Sequence, residues 1–540
     1  MKFNKSLLAV AITSITALTL NGCGTENQDG GSISSSSNAD ISSGIAVDGP
    51  IVRAQVFYDL NGNKKKESFE PGALTDNNGH YNYDYINNLN YCSGASARPE
   101  FCLRLTTAQQ DTLTDDTKII VTGGYDIYTG EPFEGSMSFP AKSSNGLSRL
   151  IAITPLTSMM EAGSEGIEDF LNYLRTLAGL TDLTFNNILN LNFLESEAKF
   201  NAEAFAITYQ MHKYVTVISD WVKEHYSEIE EGEEVSSDIS GLIYRQFEDL
   251  NSASYSTAWN KIRSDIDDIY TAAELTTETA PDSDAVDVLT ARLGAVNSAT
   301  TAAFGSSPLG SALTFANVKG RTRGVEVVVL QIIRGENEGA HTSALAALSD
   351  ATYLTNLEGD AEGNFNFTQL VEAEGTPAQI IAAANTAKNS SGSSLSSDLA
   401  GKMLDFEDDG SDESIESKAA IFFTGAEGAT RGNIHLCLKY SDTNDSDALL
   451  AGDYISGTWE TLAALNNTVM LRLEYLGGRS AVLKKIGLTG SGNETEYRFD
   501  FNGETSKFTS DQGFEETPAG TEVITSSAAC KIYVDAQTES

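Results

Sequence analysis

Basic residues are scarce. Lys and Arg number 35 against 76 Asp and Glu in 540 residues, a formal net charge of −41. A charge that negative argues against nucleic acid as a partner, because Lys and Arg must replace the counterions of a phosphate backbone. Docking by charge on an anionic lipid surface is excluded for the same reason. The balance suits a soluble, self-repelling exported protein, or one that gathers cations. Long apolar runs are also missing. Beyond Leu20 no stretch approaches the roughly 20 apolar residues of a spanning helix.

Catalytic signatures are missing too. There is no Gly-x-Ser-x-Gly, no His-Glu-x-x-His and no Gly-x-x-x-x-Gly-Lys. Ser196-Glu197-Ala198-Lys199 fits Ser-x-x-Lys, but its companions Ser-Asp-Asn and Lys-Thr-Gly are absent. The five histidines are scattered, and His212 and His225 read as surface or packing residues. Trp459 reads as a core aromatic or as a platform for a sugar ring. The expectation is a protein that is not an enzyme. Cysteines number five, with no Cys-x-x-Cys, so a redox motif or zinc ribbon is unsupported.

What is present begins with an address. Lys2 and Lys5 precede an uncharged run, Ser6 to Leu20, which reads as a secretory signal. Leu20-Asn21-Gly22-Cys23 then resembles the lipobox of bacterial lipoproteins. The resemblance implies that Cys23 is acylated and becomes the first mature residue, so that lipid on Cys23 holds the protein to a membrane. Gly24, where an aspartate would signal inner-membrane retention, implies an outer-membrane lipoprotein, periplasmic or surface-exposed. An ordinary signal peptide with a chance cysteine is the alternative. Export to an oxidising compartment makes Cys92–Cys102 and Cys437–Cys530 the natural local disulfides.

The predicted fold class is multidomain α+β. Residues 1–22 are the lipoprotein signal and 23–43 a Ser/Gly-rich tether. Residues 44–150 read as a β-sandwich, with strand patterns at Ile51 to Tyr58, at the alternating Tyr81, Tyr83 and Tyr85, at Phe101 to Leu105, and at Lys118 to Val121. Residues 151–303 read as a central helical bundle. Ile167, Phe170, Leu171, Leu174 and Leu177 share a helix face there, and proline is absent from Leu156 to Ala280. Residues 304–387 read as a mixed α/β segment, with a β-branched run from Val325 to Ile333, an alternation at Phe365 and Phe367, and a short helix at Ala378 to Ala387. Residues 388–418 read as a Ser/Gly and acidic linker. Residues 419–540 read as a C-terminal antiparallel β-sandwich or barrel.

One stretch carries chemistry. Asp59, Asn61, Asn63, Glu67 and Glu70 occupy positions 1, 3, 5, 9 and 12 of a twelve-residue loop, and Lys65 offers its carbonyl at position 7. That is the ligand spacing of a Ca²⁺ loop, which turns hard oxygens toward one point. Position 6, normally glycine because the backbone there has positive φ, is Lys64. The flanks Val47-Asp48-Gly49-Pro50-Ile51-Val52, Glu70-Pro71-Gly72 and Thr75-Asp76-Asn77-Asn78-Gly79-His80-Tyr81 resemble the Sdr-type or Cna-type B modules of bacterial surface adhesins and the related carboxypeptidase-regulatory-like β-sandwich. The resemblance implies a stalk or adhesive unit stiffened by Ca²⁺. A metal-free turn is the competing reading. Asp405, Glu407, Asp409, Glu413 and Glu416 fit the same spacing, as a second metal loop or as a solvated acidic linker.

The function expected is an exported, lipid-anchored cell-surface protein in adhesion, matrix attachment or scaffolding, its partner an extracellular protein or glycan. The alternative is a polysaccharide-binding or polysaccharide-processing accessory lipoprotein.

Overall fold

The computed structural model describes residues 44–114, 116–133, 135–141, 151–158, 199–225, 283–305, 314–334, 340–358, 365–373, 375–389, 399–407, 415–426, 429–442, 453–461, 468–473, 480–488, 495–501, 504–510, 514–516, 526 and 528–530. One compact unit spans residues 40–390, and residues 391–540 belong to a second. The lipobox with Cys23, and the helix face from Ile167 to Leu177, lie outside the described residues.

The first unit opens with small strands. β1 (Gly44–Ala46) lies between β5 (His80–Tyr81), antiparallel, and β11 (Ile151–Ile153), parallel. A second sheet runs β10 (Ser136–Pro140), β8 (Lys118–Thr122), β3 (Gln55–Asp59), β4 (Gly72–Leu74). β2 (Ile51–Val52) pairs with β9 (Tyr125–Asp126), and β6 (Tyr83–Asp84) with β7 (Leu89–Asn90). The expected strand from Ile51 to Tyr58 is split because Arg53 takes a left-handed backbone, φ 59°. The expected strand from Phe101 to Leu105 does not form. Pro99 starts a 3₁₀ turn over Pro99–Phe101 instead, and proline is suited to that first helical position.

Alternation explains the packing. Side chains on a strand alternate between faces. Tyr58, Ile119 and Phe139 are cross-strand neighbours, as are Val56, Val121 and Met137, and all six lie in one buried core with Ala46, Tyr81, Ile151 and Ile153 of the other sheet. Burying each such large side chain contributes about 1.5–3 kcal/mol. Ile45, Val47 and Ala152, which alternate with those residues, point the other way and join the core of the helices. The β1 sheet is therefore a middle layer, buried on both faces.

That layer overturns two expected boundaries. A cut at 150/151 separates β1 from its partner β11. A cut at 303/304 falls inside one apolar core shared by α1 (Lys199–His225), α2 (Ser283–Phe304), α3 (Phe315–Arg334), α4 (Ala340–Leu348), α5 (Ala351–Glu358), α6 (Phe367–Val371) and α7 (Pro377–Lys388). The described part of 304–387 is helical rather than mixed. Val325, Val328, Val329 and Ile332 repeat at helical spacing and all are buried, so packing of that stripe outweighs the few tenths of a kcal/mol that each β-branched residue costs a helix. Phe367 starts a helix because the Asn366 side chain accepts from the Gln369 N–H and caps it. The helix expected at Ala378 to Ala387 is α7, which begins on Pro377 with a Thr376–Gln379 capping box.

α3 packs on α5 through two glycines one turn apart. A Cβ on Gly320 would lie 2.5 Å from the Glu358 Cα, and one on Gly324 2.6 Å from the Leu348 side chain.

The second unit is a curled antiparallel sheet. β13 (Ile415–Thr424), β14 (Arg431–Asp442), β15 (Asp453–Thr461), β16 (Thr468–Leu473), β17 (Ser480–Leu488), β18 (Thr495–Phe501) and β19 (Glu504–Ser510) are hydrogen-bonded in chain order. β12 (Lys402–Glu407) pairs with β13, meets β19 at Glu407–Thr509, and carries β20 (Phe514–Glu516). The stretch expected as a linker over 388–418 thus supplies β12 and the start of β13, and a boundary at 418/419 cuts through β13.

Both expected cysteine pairs lie at disulfide distance. The Cα separation is 5.1 Å for Cys92–Cys102 and 5.5 Å for Cys437–Cys530, within the usual range.

Candidate functional site

β3 ends at Asp59 and the chain returns to β4 at Gly72, so residues 59–70 form a closed loop at a sheet edge. Its oxygens turn inward onto its own backbone. Asp59 accepts from the Gly62 N–H at 2.8 Å and the Lys64 N–H at 3.1 Å. Asn61 accepts from the Asn63 N–H at 3.1 Å, and Asn63 from the Lys65 N–H at 3.0 Å. Glu70 accepts from the Leu60 N–H at 2.8 Å and the Glu67 N–H at 3.0 Å, tying both ends of the loop together. The Asn61 amide donates to Glu67 at 2.6 Å, and Lys66 donates to the Glu67 carbonyl. Asp59 and Glu70 are buried, Glu67 is half-buried, and Asn61, Asn63 and Lys65 are exposed. Lys64 takes the positive φ, 60°, that its position requires.

These residues fit a hard cation in kind. A carboxylate oxygen with one N–H partner keeps acceptor capacity, and Ca²⁺ takes carboxylate, amide and carbonyl oxygens together. The 405–416 stretch is built differently. Asp405 and Glu407 lie in β12 opposite Ala420 and Lys418, and Glu416 lies in β13 opposite Ser441. Extended strand at about 3.3 Å per residue cannot curl as the first turn of such a loop must. Asp409 and Glu413 lie outside the described residues.

Sequence reasoning missed a buried seam in the first unit. On α1, Tyr209 donates from its hydroxyl to Glu326 of α3 at 2.6 Å, and Lys213 sits 2.8 Å from the same carboxylate oxygen. His212 stacks on Phe133 at 4.7 Å, its Nε2 3.6 Å from Asp48. The other Asp48 oxygen has no hydrogen-bond partner. Burial pushes the Asp48 carboxyl well up. Lys213 opposes that, and Asp126 and Glu326 reinforce it. Burial likewise pushes Asp126 up to about 7, against the hydrogen bond it accepts from the Tyr128 N–H at 2.7 Å. Burial works to lower the Lys213 ammonium, and Glu326 and Asp48 outweigh it and leave it raised. The seam joins the β strands to the helices by charge.

A second missed cluster lies in the β strands. Asp76, His80 and Asp84 are all buried, with ligand atoms within 4.8 Å of one another. Their spacing, i, i+4, i+8, reads as a helix face, yet they sit on a turn and two short strands. Asn82, at φ 65°, kinks the chain between β5 and β6 and folds Asp84 back toward His80.

The remaining aromatic candidate is settled by burial. Trp459 is in the core, edge-on to Phe423, with Nε1 donating to the Thr424 carbonyl at 3.1 Å. No described helix is long and apolar enough to cross a membrane. No family model, curated protein or solved structure matches the chain, so no catalytic family or enzyme relative stands beside it.

Proposed function

We propose that the chain is an exported protein held to the outer membrane by lipid on Cys23, and that it works by display: its β strands present a contact surface in adhesion, matrix attachment or scaffolding. One observation carries the reading. The turn after β6 and the first residue of β7 expose Tyr85 by 45 %, Ile86 by 69 % and Leu89 by 37 % within five residues. Clustered exposed apolar side chains mark contact surfaces, and aliphatic as well as aromatic groups favour a protein partner over a glycan. The lipobox resemblance and the paired cysteines support the exported setting.

Ca²⁺ belongs to the same reading. Asp59, Asn61, Asn63, the Lys65 carbonyl, Glu67 and Glu70 would hold it. When bound, the ion cross-links the two ends of the loop and stabilises the native state by about 2.7 kcal/mol at a hundredfold excess over Kd.

The test is surface display of the full chain on cells. Wild type should fractionate with membranes and bind immobilised matrix protein, and Cys23→Ser should be released or left unprocessed. The double variant Tyr85→Ser, Ile86→Ser should stay anchored and lose binding. Unchanged binding by the double variant sinks the contact assignment, and capture on a glycan array instead of protein moves the reading to polysaccharide.

A further inference from the structure

We propose that Asp76, His80 and Asp84 bind one divalent transition-metal ion, of the Zn²⁺ class, at a site separate from the 59–70 loop. The observation that calls for a ligand is His80. Its side chain is 3 % exposed and its Nδ1 has no hydrogen-bond partner. A buried polar nitrogen left unpaired costs roughly 1–3 kcal/mol. Nδ1 points between two carboxylates, 3.8 Å from Asp76 Oδ1 and 3.8 Å from Asp84 Oδ1. That distance is too long for a hydrogen bond. It is close to the span of two ligands on one ion. Bonds of about 2.1 Å in a tetrahedral shell put ligand atoms about 3.4 Å apart, so each histidine-to-carboxylate distance closes by about 0.4 Å on binding.

The donor set selects the ion. One imidazole nitrogen with two carboxylates suits Zn²⁺ and its first-row neighbours, whereas Ca²⁺ and Mg²⁺ favour all-oxygen shells. The neutral imidazole is the form that ligates, through a ring nitrogen such as the unpaired Nδ1. The carboxylates are aimed by partners of their own, as second shells do. Tyr91 donates to Asp76 Oδ2 at 2.6 Å, and the N–H groups of Asn78 and His80 donate to Asp76 Oδ1, each at 2.8 Å. Asp84 Oδ1 accepts from the Ile86 N–H at 2.8 Å and the Asn87 N–H at 3.1 Å, and Oδ2 from the Asn87 amide at 2.7 Å, so each ligating oxygen gives up one N–H bond when the ion binds. Three protein ligands leave a fourth position for water.

The role follows from what the ligands join. Asp76 stands in the turn before β5, His80 in β5, and Asp84 in the last residue of β6, at the base of the exposed turn that carries Tyr85 and Ile86. An ion there fixes the angle at which that turn leaves the strands. The binding itself does not depend on the display reading.

The test is calorimetric titration of Zn²⁺ into the chelator-stripped full chain, with millimolar Ca²⁺ present throughout to occupy hard-oxygen sites. One equivalent should bind, and Co²⁺ in its place should give visible bands that Zn²⁺ abolishes. X-ray absorption of the zinc form should fit one imidazole with oxygens. Asp84→Asn and His80→Gln, each checked for a native near-ultraviolet dichroism spectrum, should weaken Zn²⁺ at least tenfold. Asp76→Asn takes the place of either variant that fails to fold. Absence of a saturating equivalent, an all-oxygen shell, or affinity unchanged in folded variants overturns the site and leaves the gap between the three residues to a buried water.

Discussion

The Arg323 guanidinium donates to the Tyr128 carbonyl oxygen at 3.1 Å, joining positions 195 residues apart. The same side chain donates to the Leu357 carbonyl at 3.2 Å and lies over the Phe365 ring at 4.3 Å. One buried fork therefore ties the loop after β9 to α5 and to the ring just before α6. Lysine has neither the fork nor the planar face. Arg323→Lys should lower the stability of the 40–390 unit by about 2–4 kcal/mol, since it strands a buried carbonyl and leaves an ammonium short of partners. Denaturant unfolding of the full chain measures it, and a loss below about 0.5 kcal/mol would mean that the carbonyls are served by water.

The middle-layer sheet makes a second claim. Cutting the chain after residue 150 removes β11 and bares Ile45 and Val47, which pack on the helices. A fragment of residues 44–150 should lack a cooperative melting transition and bind hydrophobic dyes. Residues 40–390 should melt as one transition. A well-folded short fragment would restore the β part as a domain in its own right.

The seam predicts a pH dependence. Burial is the largest influence on Asp126, opposed by the Tyr128 N–H bond and by Lys213 and Arg323, which attract its charge, and reinforced by Glu326, which repels it; Asp126 in turn raises Asp48. Its folded pKa stands above its unfolded value, so the stability it contributes is complete below about pH 4 and is lost as pH rises toward about 7. Asp48 shifts in the same direction. Asp126→Asn keeps an acceptor for the Tyr128 N–H and removes the charge. It should raise stability at pH 8 by up to about 4 kcal/mol and flatten the decline between pH 4 and 7. Melting temperatures of wild type and variant across that window decide it. Parallel curves would mean that Asp126 stays ionised in the fold.

Parts of this fold were legible because they are local. The strand pattern from Lys118 to Val121 is β8, Cys92 lies at disulfide distance from Cys102 ten residues on, and the short helix expected at Ala378 to Ala387 is α7. What was illegible depends on partners distant in sequence. The β-branched run from Val325 to Ile333 suggests a strand until the surrounding helices bury Val325, Val327, Val328, Val329 and Ile332. β1 and β11 lie on either side of an assumed boundary, and nothing local joins them. Asp48, Lys213 and Glu326 meet from separate elements. Asp76, His80 and Asp84 are close in sequence, yet a straight strand would hold the last two about 13 Å apart. Only the left-handed turn at Asn82 brings them together.

Gly320 tests the α3–α5 contact. In an open helix Gly→Ala gains about 1 kcal/mol. Here the added methyl would stand 2.5 Å from the Glu358 Cα and 2.7 Å from the Leu357 oxygen, both backbone atoms that cannot swing aside. Overpacking costs typically about 1–3 kcal/mol, so Gly320→Ala should destabilise the unit despite its better propensity. A gain in melting temperature would show that α5 yields.

Lys64 separates the backbone of the 59–70 loop from its cation chemistry. At φ 60° a side chain costs about 1–2 kcal/mol, and glycine removes that cost while losing some of the gain to unfolded-state entropy. The N–H at position 64 that Asp59 accepts at 3.1 Å is kept in the variant. Lys64→Gly should therefore raise the stability of the first unit by about 0.5–1 kcal/mol in chelator, where no cation takes part. The variant also removes a positive charge beside any bound cation, so the further rise on adding millimolar Ca²⁺ should be larger than in wild type. Melting both proteins with chelator and with Ca²⁺ reads the two effects apart. A gain in chelator with no Ca²⁺ increment in either protein would leave the loop a strained turn closed by Asp59 and Glu70 alone. An increment that grows in the variant would place the cation against position 64.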